Sequence, residues 1–222
     1  MKILTIASHP DDEILGCGGT IAKLVAEGHT AYTLILGKGI RSRENWTEEE
    51  AEAIDGKIVM ANKLIGVDFD NITIFDYPDN AFDVMSFLSI VKDIERIKKE
   101  INPDVIFTHS KSDLNIDHRI THDAVLTVTR PIHEESVRTI YSFEVLSSTE
   151  WNFPSLFHPN VFFDISKTIN QKLDAMMQYK SEIRKLPHPR SFEGIENLAK
   201  MRGMIVGVEC AEAFELIRDV RK

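Results

Sequence analysis

A histidine and three carboxylates stand within five consecutive positions near the start of the chain, in the stretch SHPDDE at residues 8–13. His9, Asp11, Asp12 and Glu13 follow an apolar, β-branched run and precede an amphipathic helical pattern, so they lie at a predicted strand-to-helix junction. Anionic groups this close repel one another, and a cation would offset the repulsion. The first chemistry that this stretch indicates is therefore metal binding.

A second polar stretch, THSKSDLNIDH at residues 108–118, follows another predicted strand. Ligands of open parallel sheets bind beyond the carboxyl ends of the strands, so two such loops can meet at one site. His9 and Asp12 are three residues apart and can face the same side, and His118 would complete the three protein ligands typical of catalytic zinc. Asp11 would then be free to accept a proton from the attacking water.

Strands alternate with helices through the first two-thirds of the chain, which predicts right-handed βαβ units and a mostly parallel sheet. The last third is less regular: it ends in a predicted helix and a short tail after a break at residues 186–192. The predicted strands are residues 2–8, 30–37, 71–80 (which runs into a turn), 104–109, 138–144 and 160–165. The other predicted helices are residues 13–27, 47–65, 84–101, 117–129 and 166–183.

The two polar stretches resemble a known family. SHPDDEILGCGG at residues 8–19 and DLNIDHR at 113–119 are similar to the signature of the PIG-L/LmbE-type zinc N-deacetylases, which remove acetyl groups from N-acetylglucosamine-type sugars. RGMIVGVECAEAFE at residues 202–215 resembles the closing region of that family. The resemblance implies one domain over residues 1–222, with the Rossmann-like three-layer α/β/α sandwich of this family around a mostly parallel sheet.

The resemblance also implies roles for individual residues. It makes His9, Asp12 and His118 the ligands of one Zn²⁺ per chain, although a His/Asp site accepts other divalent ions as well. It makes Asp11 the general base. Asp117 resembles the carboxylate that orients a histidine next to the metal.

One position departs from the family pattern. Many members have a histidine where this chain has Asn115, and an amide can donate a hydrogen bond to an oxyanion but cannot protonate the leaving amine. His188 is the first candidate for the missing acid and His109 the second, unless Asp11 returns the proton that it took. His109 also suits a position behind the metal ligands or a purely structural one.

Several further residues are candidates for substrate contacts, each with a simpler alternative. A tryptophan in a loop stacks on a sugar face about as readily as it packs against protein. Asp113 and Asn115 could be ordinary turn residues. The glycines of GCGG at residues 16–19 fit close helix packing better than a dinucleotide loop, because the Gly-x-Gly-x-x-Gly register is absent. The candidates for substrate contacts are Arg43, Asp113, Trp151 and Arg190.

Composition limits the class of protein. The net charge of −9 and the lack of a basic stripe argue against nucleic-acid binding. No apolar run approaches the roughly 20 residues of a membrane span, and the first residues lack the pattern of a signal peptide. Cys17 and Cys210 are far apart and predict buried thiols in a reducing compartment. We therefore expect a cytoplasmic protein with a small-molecule substrate, in a family whose members are often homo-oligomers.

The function that these features favour is zinc-dependent removal of an N-acetyl group from an N-acetylglucosamine-type amino sugar or its conjugate. Two other functions stay open. A metal-dependent phosphoesterase would use a similar ligand set, although such enzymes usually hold two metals. A sugar-nucleotide-binding module could keep the fold without the chemistry.

Overall fold

The computed structural model describes residues 1–39, 47–154 and 156–221, without the side chains of residues 50–52. Its strands are β1 (Lys2–Ala7), β2 (Thr30–Gly37), β3 (Ile72–Tyr77), β4 (Val105–His109), β5 (Thr139–Phe143), β6 (Val161–Asp164) and β7 (Ala211–Asp219). These seven strands form one sheet in the order β3-β2-β1-β4-β5-β7-β6.

The helices connect the strands much as the sequence pattern predicts. They are α1 (Asp12–Ala26), α2 (Glu48–Leu64), α3 (Phe87–Ile101), α4 (Ile116–Val128), α5 (Ile169–Met176) and α6 (Phe192–Val206). The helix predicted over residues 166–183 is shorter than expected, because a 3-10 turn at Met177–Tyr179 follows α5 directly. The helix predicted from residue 84 begins at Phe87, after a 3-10 turn at Phe82–Val84.

The five strands β1 to β5 are parallel, as predicted, and the end of the chain is not a tail. Strand β7 runs antiparallel between β5 and β6 and pairs with both. The prediction of a short tail was therefore wrong. Ala211, Ala213 and Phe214 are buried. These apolar side chains pack where β7 lies between β5 and β6.

Two hydrophobic layers cover the two faces of the sheet. Ile3 and Ala7 of β1 pack in one layer with helices α1 and α2, and Leu4 and Ile6 pack in the other with α3 and α4. Successive residues of a strand point to opposite faces, so β1 supplies both layers. The expected three-layer α/β/α sandwich is confirmed.

Helix α1 packs unusually close to the sheet through its glycines. A Cβ at Gly16 would lie 2.3 Å from Cδ2 of Phe143, and one at Gly19 would lie 2.9 Å from Cδ1 of Ile165. A side chain at either position would therefore require Phe143 or Ile165 to move. The close packing places the first turn of α1, which carries Asp12 and Glu13, directly beyond the end of β1.

A buried ion pair also fixes this helix. Lys172 donates to Glu212 at 2.6 Å and to the carbonyl of Leu15 at 2.7 Å. Glu212 accepts the backbone N–H groups of Gly19 and Thr20. The ion pair thus contacts the middle of α1 from α5 and β7.

Cys17 and Cys210 are buried and not disulfide-bonded. Among the described residues, no helix combines the length and the apolar character needed to cross a membrane.

Candidate active site

Three side chains from two loops converge at the carboxyl end of the sheet. Asp12 Oδ2 lies 3.4 Å from His9 Nδ1 and 3.2 Å from His118 Nε2. One ligand atom from each of these residues lies within 4.8 Å of the other two. His9 and Asp12 come from the junction of β1 and α1, and His118 comes from the first turn of α4.

This donor set fits a zinc ion. Two imidazole nitrogens and one carboxylate oxygen are a common ligand set of catalytic zinc, and tetrahedral ligands 2.0–2.1 Å from an ion lie about 3.4 Å apart. The observed separations of 3.2 and 3.4 Å match that spacing. The same atoms would also accept other divalent ions.

The outward ring nitrogen of each histidine meets a carboxylate. His9 Nε2 lies 2.9 Å from Asp117 Oδ2 and 2.9 Å from Asp79 Oδ1. His118 Nδ1 lies 3.1 Å from Asp113 Oδ1. A carboxylate behind a ligating histidine fixes its tautomer and ring orientation. These contacts leave His9 Nδ1 and His118 Nε2 facing Asp12.

Asp113 is held firmly in this position. It is fully buried and accepts hydrogen bonds from the hydroxyl groups of Ser148 and Thr149. Burial alone would raise the pKa of Asp113, but His118 and the two hydroxyl groups lower it to about 2. The prediction that Asp113 contacts substrate does not match this buried position, because its oxygens are already used to hold His118 and the loop.

His109 lies behind His118 and is absent from the described lining of the pocket. It is fully buried, and its ring stacks on that of His118 with centroids 3.9 Å apart. Its Nε2 accepts the backbone N–H of Ser8 at 2.9 Å. Burial lowers the pKa of His109 well below its usual value, and the neighbouring His118 lowers it further. A neutral ring in this position suits support of His118 rather than proton donation.

The electrostatic field of the cluster favours positive charge. Burial alone would lower the pKa of His118, but Asp12 and Asp113 outweigh this effect and raise it to about 9. The pKa of His9 is likewise raised despite burial, by Asp117, Asp12 and Asp79. A cation between the two rings would be stabilised by the same carboxylates.

Asp11 stands apart from the ligand set and faces a guanidinium. Its Oδ2 accepts a hydrogen bond from Arg190 Nη1 at 2.9 Å. Burial raises the pKa of Asp11 to about 7, although Arg190 opposes the shift. A carboxylate with a pKa near neutrality is suited to accept and return a proton.

One pocket of about 230 Å³ is lined by His9, Asp11, Asp12, His118 and Arg190. Asn115, which caps α4 by accepting the N–H of Asp117 at 2.8 Å, lines the pocket as well. Its Nδ2 donates to Asn80 at 3.2 Å. The remaining polar lining comes from Lys38, Asp79, Asn80, Ser147, Ser148, Tyr179, Ser181 and Glu182.

Two predicted site residues lie elsewhere. Among the described residues, the pocket lining includes Arg190 but neither His188 nor Trp151. The rings of His188 and Trp151 contact each other edge to face at 5.5 Å, and His188 Nδ1 accepts the N–H of Arg190. This position is at odds with the prediction of His188 as the acid and with Trp151 as a sugar-stacking residue. Arg43 lies outside the described residues.

Sequence reasoning missed the loop after β3. In this loop Asp79 contacts His9, Asn80 contacts Asn115, and the N–H of Phe82 donates to Asp117 at 2.9 Å. The turn motif PDN at residues 78–80 stands at the carboxyl end of a parallel strand. Ligands of such sheets bind at this end, so the position of the motif could have indicated a role in the site.

A known protein family matches the part of the chain that carries these side chains. The PIG-L family, described as GlcNAc-PI de-N-acetylase, matches residues 4–129, which include His9, Asp11, Asp12 and His118. This chain belongs to the PIG-L family. The expected family membership is confirmed.

Individual PIG-L relatives and structural neighbours are distant in sequence. YaiS of Escherichia coli, an uncharacterized deacetylase, is 26% identical over 81% of this chain and 90% of its own length. The N,N'-diacetylchitobiose deacetylase of Pyrococcus horikoshii superposes with a TM-score of 0.80, at 21% identity over 98% of this chain and 84% of that one.

A third protein of the same fold carries a different activity. GalB of Pseudomonas putida, a 4-carboxy-2-hydroxymuconate hydratase, superposes with a TM-score of 0.77 at 17% identity, over 100% of this chain and 98% of that one. The shared fold alone therefore does not determine the reaction, and an assignment of function depends on the site.

Proposed function

We propose that this protein is a zinc-dependent hydrolase that removes the N-acetyl group from an N-acetylglucosamine-type amino sugar or its conjugate. The observation that carries the proposal is the convergence of His9, Asp12 and His118 beside Asp11 in the lining of one pocket. Membership of a de-N-acetylase family supports the choice of an amide as the bond that is cleaved.

His9, Asp12 and His118 would hold the zinc ion. When bound, zinc polarises a carbonyl oxygen and lowers the pKa of water, which makes water a nucleophile at neutral pH. The carboxylates of Asp117 and Asp113 keep the two histidines oriented toward Asp12. Their role is to maintain the ligand geometry.

Asp11 would act as the general base. It takes a proton from the attacking water as the oxygen adds to the amide carbonyl carbon. Arg190 holds the Asp11 carboxylate by a 2.9 Å hydrogen bond and lowers its pKa. Both effects favour an ionised base in a fixed position.

Asn115 would stabilise the negative charge that develops on the carbonyl oxygen. Its Oδ1 is used by the helix cap, so Nδ2 is the atom that can donate into the pocket. A preorganised donor of this kind stabilises a tetrahedral oxyanion. Asn115 cannot supply a proton to the nitrogen of the leaving group.

The leaving amine would therefore receive its proton from Asp11. His188 is absent from the described lining of the pocket. The buried His109 accepts the N–H of Ser8 and stacks on the ring of His118. Asp11 gains one proton from water and passes one to nitrogen as the C–N bond breaks. The products are acetate and the free amine, and Asp11 returns to its starting state.

The substrate would be a polar, hydroxyl-rich molecule. The pocket lining includes the amide groups of Asn80 and Asn115 and the hydroxyl groups of several serines. Such side chains pair with the hydroxyl groups of a sugar, and the small apolar contribution of Ile54 and Pro10 suits a methyl group.

The test is acetate release from a panel of N-acetylated amino sugars and their nucleotide, lipid and thiol conjugates. It uses the purified protein, the protein after chelation, and the chelated protein after zinc is restored. Release that is lost on chelation and restored by zinc supports the proposal. Two metal ions per chain together with hydrolysis of phosphoesters would favour a phosphoesterase. Tight binding of an N-acetylated sugar without release of acetate would favour a binding module.

A further inference from the structure

Asp11 adopts a backbone conformation that is rare for a residue with a side chain. Its φ is 92° and its ψ is −29°, in the left-handed region. It is the N-cap of α1, yet its side chain makes no capping hydrogen bond. An aspartate at this position ordinarily accepts a backbone N–H of its own helix. The left-handed conformation instead leaves the carboxylate free to face the pocket and Arg190.

The backbone N–H of Asp11 is held by a buried carboxylate. It donates to Glu13 Oε2 at 3.0 Å, and Glu13 is 1% exposed. Glu13 is absent from the described lining of the pocket and from the metal cluster. Burial of a carboxylate is costly, and an apolar side chain would fill the space at less cost. The hydrogen bond from the N–H of Asp11 is a structural reason for a carboxylate at this buried position.

Glu13 is in turn fixed by side chains from other parts of the fold. Its Oε1 accepts the hydroxyl of Tyr179 at 2.8 Å and Asn62 Nδ2 at 3.1 Å. Asn62 Oδ1 accepts the hydroxyl of Thr33 at 2.7 Å. Strand β2, helix α2 and the 3-10 turn after α5 therefore all hold the carboxylate that holds Asp11.

We propose that Glu13 is a positioning residue for the general base, with Tyr179 and Asn62 as its supports. By accepting the N–H of Asp11, Glu13 keeps that residue in the left-handed conformation that aims its carboxylate at the attacking water. The kinetic part of this inference rests on the proposed function, whereas the backbone part does not.

The kinetic test compares Glu13→Ala, Glu13→Gln and Tyr179→Phe with wild type, all loaded with zinc. We expect kcat of Glu13→Ala to fall by about 100-fold at an unchanged KM and zinc content, because displacement of a reacting group by about 1 Å costs that much. Glu13→Gln keeps an acceptor oxygen for the N–H of Asp11 and should recover most of the loss. The matched control is Tyr77→Phe, which removes a hydroxyl that donates to Asp93 at 2.6 Å and should leave kcat unchanged.

A double-variant comparison separates positioning from general stability. Because Tyr179 acts through Asp11, Tyr179→Phe should lower kcat in the wild-type background and cause no further loss in the Asp11→Asn background. Equal losses in both backgrounds would overturn the inference. So would a kcat of Glu13→Ala or Tyr179→Phe equal to that of wild type.

The second readout needs no turnover. Hydrogen exchange of the Asp11 amide, followed by NMR on the zinc-loaded protein, should be at least 10-fold faster in Tyr179→Phe than in wild type. Unchanged protection would overturn the inference even in an active enzyme. Faster exchange in a protein that releases no acetate from any substrate would support the positioning by Glu13 and contradict the proposed function instead.

Discussion

Arg190 Nη1 lies 2.9 Å from Asp11 Oδ2, and this contact joins two residues of the pocket lining that are 179 positions apart in sequence. The guanidinium also donates to the carbonyl of Leu146 at 3.3 Å. It is therefore anchored on one side by the loop after β5 while it contacts the proposed general base on the other. The ion pair lowers the pKa of Asp11, against the larger effect of burial.

Replacement of this guanidinium should change the pH dependence of the reaction. In Arg190→Gln the pKa of Asp11 rises, and a general base must be deprotonated to act. The acidic limb of kcat/KM should therefore move to higher pH, by about one unit. Arg184→Gln is the matched control, since this exposed arginine of the same turn donates only to the carbonyl of Ser181 among its described side-chain contacts. An acidic limb of kcat/KM at the same pH in Arg190→Gln and Arg184→Gln would contradict the role given to Arg190.

Asn115 allows its two roles to be separated. Asn115→Ser keeps an oxygen that caps α4, because serine caps a helix about as well as asparagine, but it removes the amide donor. We expect an unchanged melting temperature and a kcat lower by about 100-fold, the usual cost of losing one oxyanion donor. Thermal unfolding and steady-state kinetics on the same preparation measure both. Full activity in a stable Asn115→Ser protein would show that another group faces the oxyanion.

The carboxylates behind the histidines should affect metal affinity. Asp117→Asn weakens the contact that orients His9, and loss of such a partner typically lowers metal affinity by about 10- to 100-fold. Competition with a chelator of known affinity gives the zinc dissociation constant directly. Asp93→Asn, which changes a carboxylate that contacts Tyr77, should bind zinc like wild type. Equal affinity of the two variants would argue against the orienting role.

The convergence of His9, Asp12 and His118 could be predicted from the sequence because its signals are local. Each of its loops follows a strongly apolar strand, and parallel strands bring their carboxyl ends to one edge of the sheet. His9, Asp12 and His118 needed only that geometry to be placed together.

The surroundings of the base depend instead on the packing of segments distant in sequence. The turn that carries both His188 and Arg190 could present either residue to the pocket. In the structure His188 Nδ1 accepts the N–H of Arg190 and the histidine ring contacts Trp151, whereas the guanidinium of Arg190 contacts Asp11. Glu13 belongs to the SHPDDE stretch at residues 8–13. Its hydrogen bond with Tyr179 joins residues 166 positions apart, and a local sequence pattern does not predict a contact at that separation.

The end of the chain shows the same limit. Residues 211–219 alternate between apolar and polar side chains only in two runs of three residues, 211–213 and 214–216, which is a weak signal for a strand. These residues form β7 between β5 and β6. That position depends on how the whole sheet assembles, so the local sequence does not predict it.

The glycines of α1 give a stability prediction with an internal control. In Gly16→Ala the new Cβ would lie 2.3 Å from Phe143, so we expect a loss of unfolding free energy of about 1–3 kcal/mol from overpacking. In Gly56→Ala, within α2, the new Cβ meets nothing within 4 Å, and the higher helix propensity of alanine should stabilise by about 0.5–1 kcal/mol. Denaturant unfolding measures both. Similar effects of the two substitutions would contradict the close packing of α1 on the sheet.

The most direct test of the account compares wild type with Asp11→Asn, with zinc content and acetate release measured on the same samples. Asparagine has the shape of aspartate and tolerates the left-handed conformation, but it cannot accept the proton. We predict equal zinc content and a rate of acetate release lower by about 100- to 10,000-fold, the usual contribution of a general base. Acetate release by zinc-loaded Asp11→Asn at the wild-type rate would contradict the central claim that Asp11 is the base of a metal-dependent deacetylase.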